Sequence, residues 1–360
     1  MTGVLVWRYE ATKAPTDMRA YASSFDHPQT HAERLIVGMD GQAFGEIALD
    51  PTMARATAKF GSKPAAAYRE SRPVYGWVAF LASTGSGPAG VADALLVLSV
   101  LSVAFLAVAA GTLARRIGRP WVSGALVALL PGAVITVFAP GSADAFGAAV
   151  ALLGLAWWLQ SRNRGAIAFF CVAGLTRETL LVIPVTLAAF ELWSHRSRVA
   201  RILMIPVVAY AAWVAVVYAR VGALPTRASD GRLGLPFVGL ARAMVHWTPL
   251  SQEIALSLLV FAVVGAVRVH HPVLRLVIAS QVALAALLGP LVWASWRDFS
   301  RVLLPLAVVG AIACWPLAQT AAAPVPDDVD APEPIAVPAT SGAARFASRA
   351  AISAPTASGG

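Results

Sequence analysis

Long apolar stretches alternate with short polar segments along most of this chain. A helix that crosses a membrane needs about 20 predominantly apolar residues, and about 17 are tolerated. The pattern therefore predicts transmembrane helices at 89–113, 121–139, 143–159, 201–219, 250–267, 273–294 and 301–318. A shorter apolar stretch at 74–84, "VYGWVAFLAST", predicts a helix that lies in the membrane interface or is only partly inserted.

The two ends of the chain depart from this pattern. The opening residues "TGVLVW" (2–7) resemble the end of a transmembrane helix, which predicts a first span whose earlier part is missing; the alternative is a protein without that span. Residues 321–360 are rich in Pro, Ala, Ser and acidic residues without periodicity, which predicts a disordered tail. We therefore expect residues 1–320 to form one polytopic membrane domain.

The composition agrees with a membrane protein. The chain is 58% hydrophobic and 13% charged, whereas soluble domains carry about 25% charged residues. Its formal net charge of +9 comes from arginines that fall in short clusters between apolar stretches. That distribution is typical of cytoplasmic loops, and no nucleic-acid-binding signature accompanies it, so we expect membrane lipid and not nucleic acid as a partner.

The basic clusters predict the orientation of the chain. Short loops rich in Lys and Arg stay on the cytoplasmic side. Four such loops are "ARRIGR" (114–119), "SRNRG" (161–165), "HRSRVAR" (195–201) and "RVHHPVLR" (268–275). Their placement puts 8–88, 140–143, 220–249 and 295–300 outside, with 8–88 as the first extracytoplasmic loop. The tail 321–360 is then cytoplasmic, in a multi-pass protein of the plasma (inner) membrane.

The segment 166–193 does not fit a single crossing. Both of its flanks are basic and predicted to be cytoplasmic, yet the segment is too short for two full crossings. We therefore expect a helical hairpin with "LTRET" (175–179) near its tip, where non-helical backbone is allowed only beside protein or a water-filled cavity. The alternative is one long tilted helix with a structural Arg–Glu pair. Either way the predicted fold class is an all-α helical bundle.

Charged residues from four separate segments are predicted to meet at the outer membrane face. Charges at membrane depth cost roughly 2.5–3.5 kcal/mol each, which makes them functional candidates. A carboxylate is suited to deprotonating a hydroxyl, and arginines are suited to gripping a phosphate. The candidates are Asp40, Arg69, Arg72, Asp144, Arg177, Glu178, Arg297, Asp298 and Arg301. The pattern predicts transfer from a lipid-phosphate donor.

Simpler roles are open for some of these residues. Asp144 follows "PGS" (140–142) and has the position of a helix N-cap. Arg177 and Glu178 are suited to forming a buried structural pair. The six histidines are scattered, so we predict no metal site, and we find no phosphate-binding loop, dinucleotide fingerprint or nucleophile elbow. No cofactor is predicted.

Three motifs in order along the chain resemble a known family. They are "DGQAFGEIALDP" (40–51), "AYRESRPVYGWVAFLAS" (67–83) and "GLTRETLLVIPV" (174–185). They resemble a bacterial family of cell-surface glycopolymer formation proteins, which is similar to GT-C glycosyltransferases that take sugars from polyprenyl-phosphate carriers. The resemblance implies a GT-C-like fold. It also implies that Asp40 acts as the base or binds the acceptor, and it matches the family's arginine to Arg69 or Arg72 and its "TRE" to Arg177 and Glu178.

The leading prediction is a membrane glycosyltransferase that moves a sugar from a polyprenyl-phosphate donor to a cell-envelope glycan or lipid acceptor. Asp40 is the predicted catalytic residue, and Glu178, Asp144, Arg297 and Asp298 are predicted to support the site. The predicted ligands of the donor phosphate are Arg69, Arg72, Arg177 and Arg301. The alternatives are a component of a flippase or exporter and a non-catalytic partner in glycopolymer assembly.

Overall fold

The computed structural model describes residues 24–37, 40–84, 86–225 and 233–316. In that part of the chain the secondary structure is helical throughout, apart from one isolated antiparallel bridge between Leu233 and Leu288. The predicted all-α class is therefore confirmed. The predicted incomplete first span and the predicted tail 321–360 lie outside the described residues.

Short helices precede the first long one and pack around a core that they share with the start of that long helix and with residues 217–223. They are α1 (His31–Ile36), α2 (Asp40–Leu49), α3 (Ala56–Phe60), α4 (Lys63–Glu70) and α5 (Val74–Ser83). Their buried side chains include Ile36, Phe44, Ile47 and Tyr75. Local caps set their ends: at α1, Thr30 and Glu33 each bond the other's backbone N–H in a capping box. The predicted first loop is thus a folded unit, here called the amino-terminal unit (residues 24–83).

Within the described residues, three helical stretches are long and apolar enough to cross a membrane. One is α6 (Gly87–Arg116), whose 30 residues extend about 45 Å. The second is Ser197–Val221, formed by α12 (Ser197–Leu203) and α13 (Ile205–Val221). The third is α15 (Pro249–Arg268). Large apolar side chains such as Val97, Leu101 and Val208 are exposed on these helices, which indicates a membrane protein.

Besides 201–219, which changes from α12 to α13 at Met204, three predicted spans are interrupted instead of continuous. Residues 121–139 form α7 (Ser123–Leu126), a short 3₁₀ helix (Val127–Leu129) and α8 (Pro131–Phe138). Residues 273–294 form α16 (Pro272–Leu287) and α17 (Pro290–Trp293). A further short helix, α14 (Val238–Met244), lies before α15 along the chain. Residues 301–318 begin in α18 (Trp296–Val302) and continue in α19 (Leu304–Cys314).

Proline explains each interruption. The breaks at Leu130, at 288–289 and at Leu303 lie one or two residues before Pro131, Pro290 and Pro305, respectively. Proline has no N–H to donate and disfavours the helical conformation of the residue before it. The prediction of a continuous helix in these three segments was therefore wrong.

The segment 166–193 is broken at Arg177. It consists of α10 (Asn163–Thr176), a 3₁₀ helix (Glu178–Leu181) and α11 (Val182–Trp193). Between them Arg177 is extended, with φ −151° and ψ 117°. The alternative of one long helix is therefore wrong.

The chain also reverses direction at this break. The last turns of α13 pack against the amino-terminal unit, where Trp213 Nε1 donates to the Glu70 carbonyl at 2.8 Å. The stretch Ser197–Val221 has 25 residues and extends about 37 Å, so it begins at the other end of the bundle. Since α11 leads into that beginning, it runs away from Arg177, as the predicted hairpin requires.

The middle of the bundle is α9 (Asp144–Trp158), which packs between α6 and α10. Nearly all of its side chains are buried, and many are Ala or Gly. Small residues allow helices to approach closely; at Gly154, for example, the Phe170 ring occupies the space where a Cβ would lie. This central position puts Asp144, the first residue of α9, at the end of the bundle where the amino-terminal unit packs.

Candidate functional site

Asp40, the first residue of α2, lies at the centre of a cluster of arginines. Its Oδ1 accepts a hydrogen bond from Arg69 Nη1 at 3.0 Å. Its Oδ2 accepts from Arg301 Nη1 at 3.0 Å and from Arg177 Nη2 at 3.5 Å. The arginines come from α4, from α18 and from the break after α10. The structure therefore brings together four of the predicted residues from four separate segments.

Asp144 is a second carboxylate in the same cluster. Its Oδ2 accepts from Arg177 Nη2 at 2.7 Å and from Ser142 Oγ at 2.6 Å, and it lies 3.7 Å from Arg301 Nε. The N-cap of α9 is Ala143, and no side chain caps that helix. The alternative role of Asp144 as only a helix N-cap was therefore wrong.

Glu178 pairs with Arg72 and not with its neighbour Arg177. Arg72 donates from Nε to Oε2 and from Nη2 to Oε1, both at 2.6 Å. The Arg72 guanidinium also lies 4.1 Å from the centre of the Tyr68 ring, a cation–π contact. Among the ion pairs of the described residues, Arg177 contacts Asp40 and Asp144. The alternative of a structural Arg177–Glu178 pair was therefore wrong.

Two predicted supporting residues hold Arg301 in place from within α18. Asp298 Oδ1 accepts from Arg301 Nη2 at 2.6 Å. The carbonyl of Arg297 accepts from Arg301 Nε at 3.1 Å. The Arg297 side chain donates from Nε to Ser295 Oγ at 3.4 Å. Arg297 thus supports Arg301 through its backbone, whereas Asp298 does so through its carboxylate.

A cavity of about 250 Å³, here called the charged cavity, opens among these side chains. It is lined by Asp40, Arg72, Arg177, Asp298, Arg301, Leu291, Val292 and Val302. Arg69, Asp144 and Glu178 are not among the lining residues, and each is ion-paired with one that is. The site therefore has an inner layer that faces the cavity and an outer layer that holds the inner one in position.

A larger apolar groove of about 650 Å³ adjoins the charged cavity. Its lining includes Leu240, Met244, Leu258, Leu259, Val282 and Trp293. Consecutive residues line the two spaces at two places: Val292 and Val302 line the charged cavity, and the residues that follow them, Trp293 and Leu303, line the groove. The arrangement offers a charged space and an apolar space side by side.

The arginines determine the charge state of Asp40. Burial alone would raise the pKa of this carboxyl, but the positive charges of Arg301, Arg69 and Arg177 outweigh it and hold the pKa well below its usual range. Asp40 is therefore ionised at neutral pH. While all three arginines contact it, it is also a weak base, because a low pKa means low proton affinity.

Glycines fix the position of Asp40, a feature that sequence reasoning missed. A Cβ on Gly41 would lie 2.4 Å from the Pro140 carbonyl oxygen, and a Cβ on Gly141 would lie 2.2 Å from Gly41 Cα. Gly141 also has φ +87°, which favours glycine, and its N–H donates to Ser99 Oγ at 2.7 Å. The Pro-Gly pair is a turn signal, but nothing in the sequence indicates which residue the turn touches.

Ser142 was also missed. Its hydroxyl donates to Asp144 at 2.6 Å and lies 3.5 Å from Arg301 Nη1.

No family model, curated protein or solved structure matches this chain, so the family resemblance stays a prediction. In the part of the chain that the structure describes, no group of three or more His, Cys, Asp or Glu residues is arranged to hold a metal ion.

Proposed function

We propose that this protein is a membrane glycosyltransferase that moves a sugar from a polyprenyl-phosphate donor to a cell-envelope glycan or lipid acceptor. The observation that carries the proposal is the charged cavity with its arginines, set beside the apolar groove. An amphiphile with an anionic head and an apolar tail is complementary to such a pair of spaces. A sugar linked through phosphate to a polyprenyl chain has this chemistry.

Arg177 is the best suited of the cavity arginines to hold the donor phosphate. A guanidinium has five N–H donors, and the bonds of Arg177 to carboxylates of the described residues use only Nη2. Its Nε is buried with no acceptor among the described residues. Arg301 in contrast already donates from Nε, Nη1 and Nη2. Arg72 donates from Nε and Nη2 to Glu178 and has Nη1 left for a ligand.

Asp40 is suited to be the base, because it lines the charged cavity beside these arginines. In the proposed reaction the acceptor hydroxyl gives its proton to an Asp40 oxygen, and the hydroxyl oxygen attacks the anomeric carbon of the sugar. The bond from that carbon to the phosphate oxygen breaks, and its electron pair stays on the phosphate. Arg177 and Arg301 stabilise the negative charge that develops there.

We further propose a polytopic, GT-C-like protein of the plasma membrane with this site on the extracytoplasmic side. The basic loops support this orientation. "SRNRG" (161–165) joins α9 to α10, and "HRSRVAR" (195–201) joins α11 to α12. Both lie at the end of the bundle opposite to Asp144 and Arg177. Basic loops remain cytoplasmic, so the charged cavity faces outward.

The clustering of the charged residues favours an enzyme over a flippase or exporter component. A translocation path needs polar groups through the depth of the membrane, whereas the ion pairs of Asp40, Asp144, Glu178 and Asp298 gather around one cavity. A non-catalytic assembly partner would not need a carboxylate in the cavity.

The test is to incubate membranes that contain the protein with a panel of polyprenyl-phosphate sugars and to follow sugar transfer. We expect turnover with at least one donor, and we expect Asp40→Asn to abolish it while the donor still binds. Asp93→Asn removes the same charge at an exposed position on α6 and serves as the matched control. Transfer by Asp40→Asn at the wild-type rate would refute Asp40 as the base, and donor binding without turnover in the wild type would favour the non-catalytic role.

A further inference from the structure

The carboxylates around the charged cavity already occupy its arginines. Arg69, Arg177 and Arg301 contact Asp40; Arg177 and Arg301 also contact Asp144; Arg301 contacts Asp298; and Arg72 contacts Glu178. Every arginine that lines the cavity is thus paired with a carboxylate. An anion that enters meets arginines whose positive charges are already compensated, so it binds with full charge complementarity only if it replaces one of the carboxylates.

Asp144 is the carboxylate least able to leave. Its side chain is only 3% exposed, and Ser142 donates to it at 2.6 Å. It also lies in the first turn of α9, where the helix dipole favours a negative charge. Asp144 therefore holds Arg177 and Arg301 from behind, whether or not a ligand is present.

Asp40 is the carboxylate best placed to be replaced. It lines the charged cavity and its side chain is 22% exposed. Its Oδ2 takes the hydrogen bonds from Arg177 and Arg301, whereas its Oδ1 takes the one from Arg69. Because Arg69 does not line the cavity, a ligand can displace Oδ2 while Oδ1 keeps its partner. Asp298 is more exposed, but among the arginines that the structure describes it forms an ion pair with Arg301 alone.

We propose that Asp40 occupies the anion site when no donor is bound, and that the donor phosphate takes its place on Arg177 and Arg301. The inference rests on the proposed function and adds a sequence of events to it. The Nε of Arg177, which is buried and has no acceptor among the described residues, is a further donor for the bound phosphate. In the exchange, the hydrogen bonds of Arg177 and Arg301 move from Oδ2 of Asp40 to phosphate oxygens, which accept charge-assisted hydrogen bonds as a carboxylate oxygen does.

The exchange would make the base active only when the donor is present. While three arginines contact it, Asp40 is a weak base, as shown above. Once Arg177 and Arg301 bind phosphate, Asp40 has lost two of its three positive neighbours and gained a negative one, and both changes raise its proton affinity. The acceptor hydroxyl therefore meets a competent base after the donor has bound, which predicts ordered binding with the donor first.

Asp40→Asn separates this exchange from a simpler site. The probe is a polyprenyl phosphate without sugar, whose binding to the detergent-solubilised protein is measured directly. The amide keeps the shape of the side chain but no longer competes for the arginines, so we expect binding about ten-fold tighter than in the wild type, or more. We expect Asp298→Asn to bind more tightly by a smaller factor, and the exposed control Asp93→Asn to match the wild type.

The outcomes distinguish the exchange from the proposed function. Equal or weaker binding by Asp40→Asn, with clear binding by the wild type, would overturn the exchange and leave the phosphate site intact. No binding by either protein would overturn both.

A second measurement is needed because the variant is expected to be less stable: without the Asp40 carboxylate, the three arginines that contact it lose a negative charge that compensates them. Both proteins are unfolded thermally with and without inorganic phosphate at constant ionic strength. Phosphate should raise the unfolding temperature of Asp40→Asn more than that of the wild type. A variant that folds only with phosphate supports the exchange, whereas an equal rise in both proteins, or a variant that phosphate does not rescue, contradicts it.

Discussion

Arg72 and Glu178 form a bidentate ion pair, with both hydrogen bonds at 2.6 Å, across 106 residues of sequence. Arg72 lies between α4 and α5 in the amino-terminal unit, and Glu178 begins the 3₁₀ helix at the chain reversal. The pair thus ties the reversal to the amino-terminal unit. Because Arg177 precedes Glu178 directly, the same tie sets the position of Arg177 beside Asp40 and Asp144.

The first prediction concerns the energy of this pair. Removing one partner of a buried ion pair costs roughly 3–5 kcal/mol, but the Glu178 side chain is 33% exposed, which lowers the cost. We expect Glu178→Gln to lower the free energy of unfolding by about 1–3 kcal/mol. Chemical unfolding in detergent of Glu178→Gln, Arg72→Met and the double variant gives the coupling between them. Additive losses would show that the pair contributes no stability of its own.

The second prediction concerns Arg177 as the donor-phosphate ligand. Lysine at this position keeps the charge but loses the planar fork and the unpaired Nε. Since a charge-assisted contact contributes roughly 1.5–3 kcal/mol, Arg177→Lys should weaken donor binding about ten-fold or more. Arg164→Lys, at an exposed position at the start of α10, is the matched control and should bind as the wild type does. Unchanged affinity in a correctly inserted Arg177→Lys protein would make Arg177 a structural partner of Asp144.

Apolar length was sufficient to predict some helices and not others. The predictions 89–113 and 250–267 agree with α6 and α15 to within a few residues, because nothing inside those stretches prevents a helix. The stretch 121–139 is as apolar, but Pro131 interrupts it. Hydropathy measures the transfer of side chains into lipid and does not register the missing N–H of proline.

The composition of the site was predictable from topology, whereas its pairing was not. Placing the basic loops on one side brought Asp40, Asp144, Arg177 and Arg301 to the other, and the structure has them in contact. Which carboxylate pairs with which arginine depends on side-chain directions. The extended backbone at Arg177 turns its side chain away from Glu178, and sequence spacing does not encode that turn.

The third prediction concerns the glycine contact that positions Asp40. In Gly41→Ala the new Cβ would lie 2.4 Å from the Pro140 carbonyl oxygen, so the start of α2 has to shift. We expect a loss of about 1–3 kcal/mol in the free energy of unfolding and reduced donor turnover, because Asp40 moves with the backbone. In Gly234→Ala the Cβ would have no atom within 4 Å, so this control should change stability by less than about 0.5 kcal/mol. Wild-type turnover in Gly41→Ala would show that the position of Asp40 tolerates the shift.

The fourth prediction concerns the orientation in the membrane. Thr57 in α3 and Ser194 after α11 are both exposed, at opposite ends of the bundle. The natural cysteines, Cys171 and Cys314, are first replaced by alanine. An impermeant thiol reagent added to intact cells should then label Thr57→Cys and not Ser194→Cys. The reverse labelling would place the charged cavity in the cytoplasm and contradict the proposed donor orientation.

Glu70, the last residue of α4, is the basis for a prediction about pH. Its side chain is 2% exposed, and its carboxyl has Asp50 and Lys59 as charged neighbours. Burial, with a further contribution from Asp50 and an opposing one from Lys59, raises the pKa of Glu70 to about 8. At neutral pH the folded protein therefore keeps Glu70 protonated, whereas the unfolded chain, with an ordinary pKa of 4.5, has it ionised.

This difference makes stability fall as the pH rises. Between about 4.5 and about 8 the folded state binds one more proton at Glu70 than the unfolded state does, so the contribution is complete below that window and lost above it. Its size is on the order of 5 kcal/mol. Glu70→Gln is neutral at every pH and should lack this slope, matching the wild type near pH 5 and exceeding its stability near pH 9. Thermal unfolding of both proteins in detergent from pH 5 to 9 measures this, in a range where Asp40, whose pKa is lowered, stays ionised. Parallel curves for the two proteins would mean that Glu70 is ionised in the folded state.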